Sequence, residues 1–179
     1  PLLLVPGVGI SHYMVDTLHC LFGSGGPLQK WIAKALWELI VSNVWGSVGM
    51  HADTIYKNNL LQCKVELNQF YKEAKRAGAS PSRLDDLTLN MIGTQTDPNM
   101  TTKAGECRWL FKFVLRKLRA TSTMLSGNGR DLLAAGAAME ALLSTMDGAP
   151  INPSVAERKD IILIISTTLI IINNLIIII

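Results

Sequence analysis

Residues 53–77, DTIYKNNLLQCKVELNQFYKEAKRA, form the stretch that decides the fold class. Apolar side chains recur there at every third or fourth position, at Tyr56, Leu60, Cys63, Leu67, Phe70 and Ala74. This spacing places them on one face of a helix, and Gly78 is a typical residue for a helix end. The stretch therefore predicts a long amphipathic helix from Asp53 to Ala77.

Further segments on both sides show helical patterns between turn residues. They run over 11–22, 27–46, 80–93, 102–125 and 130–146, and a seventh begins at Asn152 and continues toward the chain end. Pro27 occupies a first helical position, where proline is favoured. The small residues 134–138 predict a close contact between helices. Strand signals are almost absent between these segments, so the sequence predicts an all-α bundle of about six to seven helices.

The chain divides into an extended apolar arm (1–10), a helical domain (11–150) and an apolar C-terminal part (151–179). The last 19 residues, 161–179, carry no charge and are mostly isoleucine. As a helix they would span about 28 Å, enough to cross a hydrocarbon core. They are therefore a candidate membrane anchor. A buried core or subunit contact, and a β-forming or artefactual tail, are the alternatives.

Composition excludes two broad classes of protein. Hydrophobic residues make up 49% of the chain and charged residues 17%, against about 25% charged in an average soluble domain. Such a chain is too apolar to be intrinsically disordered. The three cysteines (Cys20, Cys63 and Cys107) are spread singly, which excludes a disulfide scaffold. They favour a reducing compartment or a virion-like assembly.

The segment 103–119 concentrates positive charge on a predicted helix. It holds six basic residues and one acidic residue, Glu106, in a chain whose net charge is only +3. Residues 108, 112, 116 and 119 fall in one stripe, with Trp109 and Phe111 beside it and an apolar face opposite. The candidate nucleic-acid-binding residues are Lys103, Arg108, Trp109, Lys112, Arg116, Lys117 and Arg119. Such a stripe could follow nucleic-acid phosphates, lie on anionic lipid, or be an ordinary solvated face.

Three tryptophans, Trp31, Trp37 and Trp45, recur in the segment 27–46 without sharing one helix face. At least one of them is therefore expected at a surface or an interface. A helix that is apolar nearly all round is either the central core helix of one chain or a contact between subunits. The sequence leaves these two interpretations open.

Signals for catalysis are weak throughout the sequence. His12, Asp16 and His19 share one face of the segment 11–22 and could supply three metal ligands. No H-E-x-x-H or paired C-x-x-C motif accompanies them, and no G-x-S-x-G motif or phosphate-binding glycine loop is present. The sequence therefore predicts no enzyme, no metal and no cofactor.

These features together predict a structural assembly protein that associates with itself through apolar surfaces and binds nucleic acid through its cationic helix. The combination is similar in physical style to helical viral coat and nucleocapsid proteins, as a likeness of architecture without a shared motif. The alternative is a tail-anchored membrane protein, held through 161–179, whose helical domain binds a partner. In outline that arrangement resembles apoptosis-regulator bundles. A third hypothesis is a small metal-dependent enzyme using His12, Asp16 and His19.

Overall fold

A computed structural model describes residues 25–148 together with Ser154 and Leu163. Within this part the chain forms five α-helices and a short 3-10 turn, with no β-strand. The elements are α1 (Pro27–Val41), α2 (Ala52–Arg76), α3 (Leu89–Ile92), α4 (Ala104–Ala120), the turn Ser122–Met124, and α5 (Gly127–Gly148). The all-α prediction is confirmed, whereas a bundle of six to seven helices is not.

Several sequence predictions lie outside the described residues. They concern the arm 1–10, the helix over 11–22 with its metal-ligand candidates, and nearly all of 151–179. In the described part, four of the predicted helices correspond to α1, α2, α4 and α5. The amphipathic helix predicted from Asp53 to Ala77 matches α2 to within one residue at each end.

The first helix, α1, is the centre of the fold. It contacts each of the other four helices, and ten of its 15 residues are buried. Trp31 and Trp37 are both buried on α1, while the half-buried Trp45 follows the end of the helix. An apolar helix surrounded by other helices of the same chain loses its apolar surface from water on all sides. The described part therefore supports the interpretation of this segment as a central core helix.

Helix α5 packs closely against α1 through its small residues. Ala135 and Gly136 are buried, and a Cβ atom at Gly136 would meet the ring of Trp31 and lie 2.9 Å from Leu115 Cδ1. The indole nitrogen of Trp31 also donates a hydrogen bond to the Leu132 carbonyl at 2.9 Å. The close contact predicted from residues 134–138 is confirmed.

The helix predicted over 80–93 is wrong for most of its length. Only Leu89–Ile92 form a helical turn, and residues 80–88 before it form neither helix nor strand. The Tyr71 hydroxyl accepts a hydrogen bond from the Leu84 amide, and the Asp86 carboxylate accepts one from the Leu87 amide. These side chains take the place of helical carbonyl acceptors. The apolar residues instead belong to a segment without helix or strand, which buries Leu87 against the core.

Two other helices end earlier than the sequence predicts. Helix α1 stops at Val41 rather than Gly46, because Asn43 adopts a positive φ of 49° and bonds with its side chain to Ser47. Helix α4 stops at Ala120 rather than Leu125, where the Thr121 hydroxyl donates to the Lys117 carbonyl. In both cases a short polar side chain satisfies backbone groups that a longer helix would have used.

One carboxylate joins the end of α1 to the start of α5. Glu38 Oε1 accepts hydrogen bonds from the Ser42 hydroxyl at 3.0 Å and from the Ser126 amide at 2.8 Å. The Ser126 amide lies immediately before α5, so the contact fixes where that helix begins relative to α1.

Candidate nucleic-acid interface

The outer face of α4 forms the floor of a groove of about 850 Å³, which we call the α4 groove. One wall comes from the C-terminal half of α2 and the other from α5. The opposite face of α4 is apolar and packs on α1, because its aliphatic and aromatic residues follow helical spacing. This amphipathic pattern leaves the charged face of α4 pointing into the groove.

Five of the seven candidate binding residues line the α4 groove. They are Arg108, Trp109, Lys112, Arg116 and Arg119. Their spacings of one, three or four residues put them on neighbouring turns of the same face. The predicted cationic stripe is therefore present as a continuous surface, with Trp109 inside it.

The other two candidates lie outside the groove. Lys103 is exposed just before α4, where its backbone amide donates to the Glu106 carboxylate at 3.1 Å. Lys117 faces the other side of α4, where its ammonium group is 2.8 Å from Glu66 and 4.9 Å from the centre of the Trp45 ring. These two residues do not continue the stripe.

Phe111, which the sequence suggested as an exposed aromatic beside the stripe, is buried. Only 1% of it is exposed, and its ring packs edge-on against Trp31 with the ring centres 5.1 Å apart. The ring therefore belongs to the core and cannot stack on a nucleobase. Trp109 is the aromatic residue of α4 that the groove leaves partly open.

The three arginines of the groove are each paired with a carboxylate from a neighbouring helix. The pairs join Arg116 to Glu73 of α2, and Arg108 to Asp147 and Arg119 to Glu140 of α5. With four cations and three carboxylates lining it, the α4 groove carries a net charge of about +1 at neutral pH. The sequence predicted the cations but not their acidic partners.

The pairs remain open to water. The side chains of Arg108, Arg116 and Arg119 are 39, 59 and 47% exposed. Attraction between charges is weak at such sites, and an incoming anion can replace a carboxylate at little net cost in free energy. The pairs therefore orient the guanidinium groups without removing them from a ligand's reach.

Lys112 has a different environment from the arginines. Among the residues that the structure describes, no carboxylate lies within ion-pair distance of it, and its ammonium group is 4.9 Å from the centre of the Trp109 ring. Arg116 similarly lies over the ring of Phe70, at 5.3 Å. Cation–π contacts of this kind hold the charges over the apolar floor of the groove.

The electrostatics of the walls follow from these pairs. Glu73 has a pKa below its ordinary value of 4.5, chiefly because it accepts a hydrogen bond from Arg116. The pKa of Glu140 is lowered from the same ordinary value, chiefly by its hydrogen bond with Arg119. Both carboxylates therefore stay ionised throughout the neutral range. The groove therefore keeps its mixed charge at neutral pH.

Two features of the described part bear on catalysis and metal binding, namely the state of its thiols and the arrangement of its possible metal ligands. Burial raises the pKa of the Cys63 and Cys107 thiols to about 12, so neither is ionised at neutral pH. Over residues 25–148, with Ser154 and Leu163, no three histidine, cysteine, aspartate or glutamate side chains are arranged to hold a metal ion. His12, Asp16 and His19 lie outside this range.

The membrane hypothesis can be compared only with the described residues. None of the described helices combines the length and the apolarity needed to cross a bilayer. The candidate anchor, residues 161–179, is described only at Leu163.

Comparison of the chain with models of protein families, with curated proteins and with solved structures found no match.

Proposed function

We propose that the chain is a non-enzymatic assembly protein of coat or nucleocapsid type, which binds the phosphates of single-stranded nucleic acid in the α4 groove. The observation that carries this proposal is the opening of Arg108, Lys112, Arg116 and Arg119 into one groove beside a partly buried tryptophan that also lines it. A row of cations can follow a phosphate backbone, and an aromatic ring beside it can stack on an unpaired base.

The shape of the groove favours a single strand over a duplex. Its floor is recessed between α2 and α5, so a ligand must bend into it to reach the guanidinium groups. A single strand bends easily and turns its bases outward, whereas a duplex is stiff over such short lengths. Trp109, on the floor, is well placed for a base that turns inward.

Binding in this groove takes the form of an exchange of anions. A phosphate that approaches Arg116 or Arg119 replaces Glu73 or Glu140, and the displaced carboxylate becomes solvated. Because these pairs are exposed to water, the exchange costs little. The carboxylates nevertheless repel the backbone, so affinity and its dependence on salt should be smaller than four uncompensated cations would give.

Exposed apolar side chains support self-association. In the loop between α1 and α2, Val48 and Met50 are 87 and 95% exposed, and Leu61 and Val65 lie one turn apart on the outer face of α2. The Asn58 side chain donates to the Val48 carbonyl at 3.2 Å, which holds the loop against α2 close to Leu61. Apolar residues gathered on one surface are typical of protein interfaces.

Fluorescence anisotropy with labelled oligouridylate and oligothymidylate tests the proposal. The variant R108A/K112A/R116A should bind about tenfold or more weakly than the unmodified chain at low salt. The matched control is K57A/K72A/K75A, which removes three exposed cations of α2 outside the groove and should bind within about threefold.

Three outcomes would overturn the proposal. They are no binding by the unmodified chain, equal loss in both triple variants, and no loss in the groove variant. Anionic phospholipid vesicles serve as a further probe, and binding to vesicles without binding to oligonucleotides would identify a lipid surface instead. Electron micrographs should show assemblies in the presence of the oligonucleotide, and dispersed monomers would contradict the assembly role.

A further inference from the structure

A second, shallower hollow of about 560 Å³ lies where α4 turns into α5. Two arginines and two hydroxyl side chains surround it, and aliphatic side chains of α5 form its base. Its lining residues are Arg119, Ser122, Thr123, Arg130, Leu133, Ala134 and Ala137. No sequence motif marks Arg130 or the turn Ser122–Met124.

The hollow adjoins the α4 groove. Arg119 and Ala137 line both, so one guanidinium group stands at the boundary between them. A ligand that follows the groove toward the C-terminal end of α4 therefore meets the hollow next. The two concavities together form a longer track than α4 alone provides.

Arg130 is the distinctive cation of the hollow. It is exposed on the first turn of α5, and no carboxylate of the described residues lies within ion-pair distance of it. Its one hydrogen bond there, to the Leu125 carbonyl, is long at 3.5 Å. In contrast to the groove arginines, Arg130 has no carboxylate within the described part of the chain that a phosphate must displace.

The polar rim and apolar base of the hollow match the two parts of a nucleotide. A guanidinium group binds phosphate oxygens through paired N–H donors, and Arg119 and Arg130 border the same space. The hydroxyls of Ser122 and Thr123 make no hydrogen bond within the described part of the chain, so they can donate to the same anion. Leu133, Ala134 and Ala137 offer an apolar surface of the kind against which a base or sugar packs.

We propose that this hollow is a nucleotide subsite at the end of the groove, where Arg119 and Arg130 hold one phosphate of the strand. The inference rests on the proposed function, and it adds the residues that receive the strand beyond α4. It commits to a nucleic-acid phosphate as the ligand. Arg119 must release Glu140 to bind this phosphate, whereas Arg130 has no carboxylate partner among the described residues, so the subsite requires less exchange than the groove.

Oligothymidylates of two lengths test the subsite, because a strand of about four nucleotides fills the groove alone and one of about twelve also reaches the hollow. Arg130→Ala should weaken binding of the longer strand about threefold to tenfold and leave the shorter strand unchanged. Arg116→Ala should weaken both. Arg130→Lys, which keeps the charge but loses the paired donors, should fall between Arg130→Ala and the unmodified chain.

The control for lost charge is Lys57→Ala, and circular dichroism checks that each variant remains folded. Equal affinities of Arg130→Ala and Lys57→Ala for the longer strand would overturn the subsite, while the Arg116→Ala result would still support the groove. Weakening of both lengths by Arg130→Ala would also overturn it, since Arg130 would then act inside the groove. If Arg116→Ala weakens neither length, the proposed function fails, and the subsite fails with it.

Discussion

Helices α1 and α4 lie against each other in the described part of the chain, but they differ in how much of their surface is buried. Ten of the 15 residues of α1 are buried, whereas α4 buries seven of 17 and turns its remaining face to the groove. Burial of apolar surface is the main source of stability, while exposed ion pairs contribute little to it. The comparison indicates that α1 holds the fold together and that the outer face of α4 can change without unfolding it.

Truncating one tryptophan on each helix gives the largest expected contrast. Trp31→Ala on α1 removes a fully buried ring, its edge contact with Phe111 and its hydrogen bond to the Leu132 carbonyl. We expect it to lower the free energy of unfolding by about 3 to 5 kcal/mol. Trp109→Ala on α4 removes a partly buried ring that borders the groove and should lower it by less than about 1.5 kcal/mol. Urea unfolding of both variants measures the difference. Equal losses in the free energy of unfolding would contradict the contrast between α1 and α4.

A smaller effect is expected from adding one methyl group where α5 meets α1. Gly136→Ala places a Cβ against Trp31 and Leu115 and should destabilise the chain by about 1 to 3 kcal/mol, because close-packed contacts must shift. Gly127→Ala is the matched control at the start of the same helix, where nothing lies within 4 Å of the added atom. The control should be neutral or stabilising by up to about 1 kcal/mol. Thermal unfolding measures the stability of the two variants. If Gly136→Ala were as stable as the unmodified chain, the close packing of α5 on α1 would be contradicted.

The smallest expected change in stability comes from the carboxylates of the groove. Glu73→Gln with Glu140→Gln should leave unfolding nearly unchanged but strengthen oligonucleotide binding about threefold to tenfold at low salt, since two repelling charges are lost. The control Asp85→Asn with Asp97→Asn removes as much negative charge outside the groove and should have a smaller effect. Anisotropy titrations of both variants measure this, and weaker binding by the glutamine variant would show that the pairs are needed to orient the arginines.

Lowering the pH should strengthen oligonucleotide binding, as Glu73→Gln with Glu140→Gln should, because both neutralise the two carboxylates. The pKa values of Glu73 and Glu140 are lowered in the folded chain, so their pairs stabilise the fold above the ordinary value of 4.5. That contribution is lost as the pH falls through the lowered pKa values. Oligonucleotide affinity should therefore be constant from about pH 8 to pH 5 and rise only below about pH 4.5. A rise near pH 6 would point to a different group.

The sequence predicted the features that depend on the spacing of residues within a single helix. Regular apolar spacing located α2 almost to the residue, and the cationic stripe of α4 was placed on one face by its spacing alone. The ion pairs could not be found in this way, because Arg116 and Glu73 are 43 residues apart and belong to different helices. Their pairing depends on how the helices pack, which spacing within one helix does not specify.

The error over 80–93 has a related cause. Leu84 and Leu87 have the spacing of a helix face, but Tyr71, a residue from another element, accepts the hydrogen bond of the Leu84 amide. The burial of Phe111 was missed for a similar reason, since its neighbour Trp31 comes from α1. In both cases a long-range contact overrode a local pattern.

The contacts of Glu38 have a consequence for the kinetics of recognition. This carboxylate holds the Ser126 amide, and with it the start of α5, beside the end of α1. If a strand binds as proposed, we expect side chains to reorient while the main chain at the start of α5 stays in position. Encounter should accordingly be governed by diffusion and charge rather than by a slow rearrangement, and differences among ligands should appear mainly in how long they remain bound.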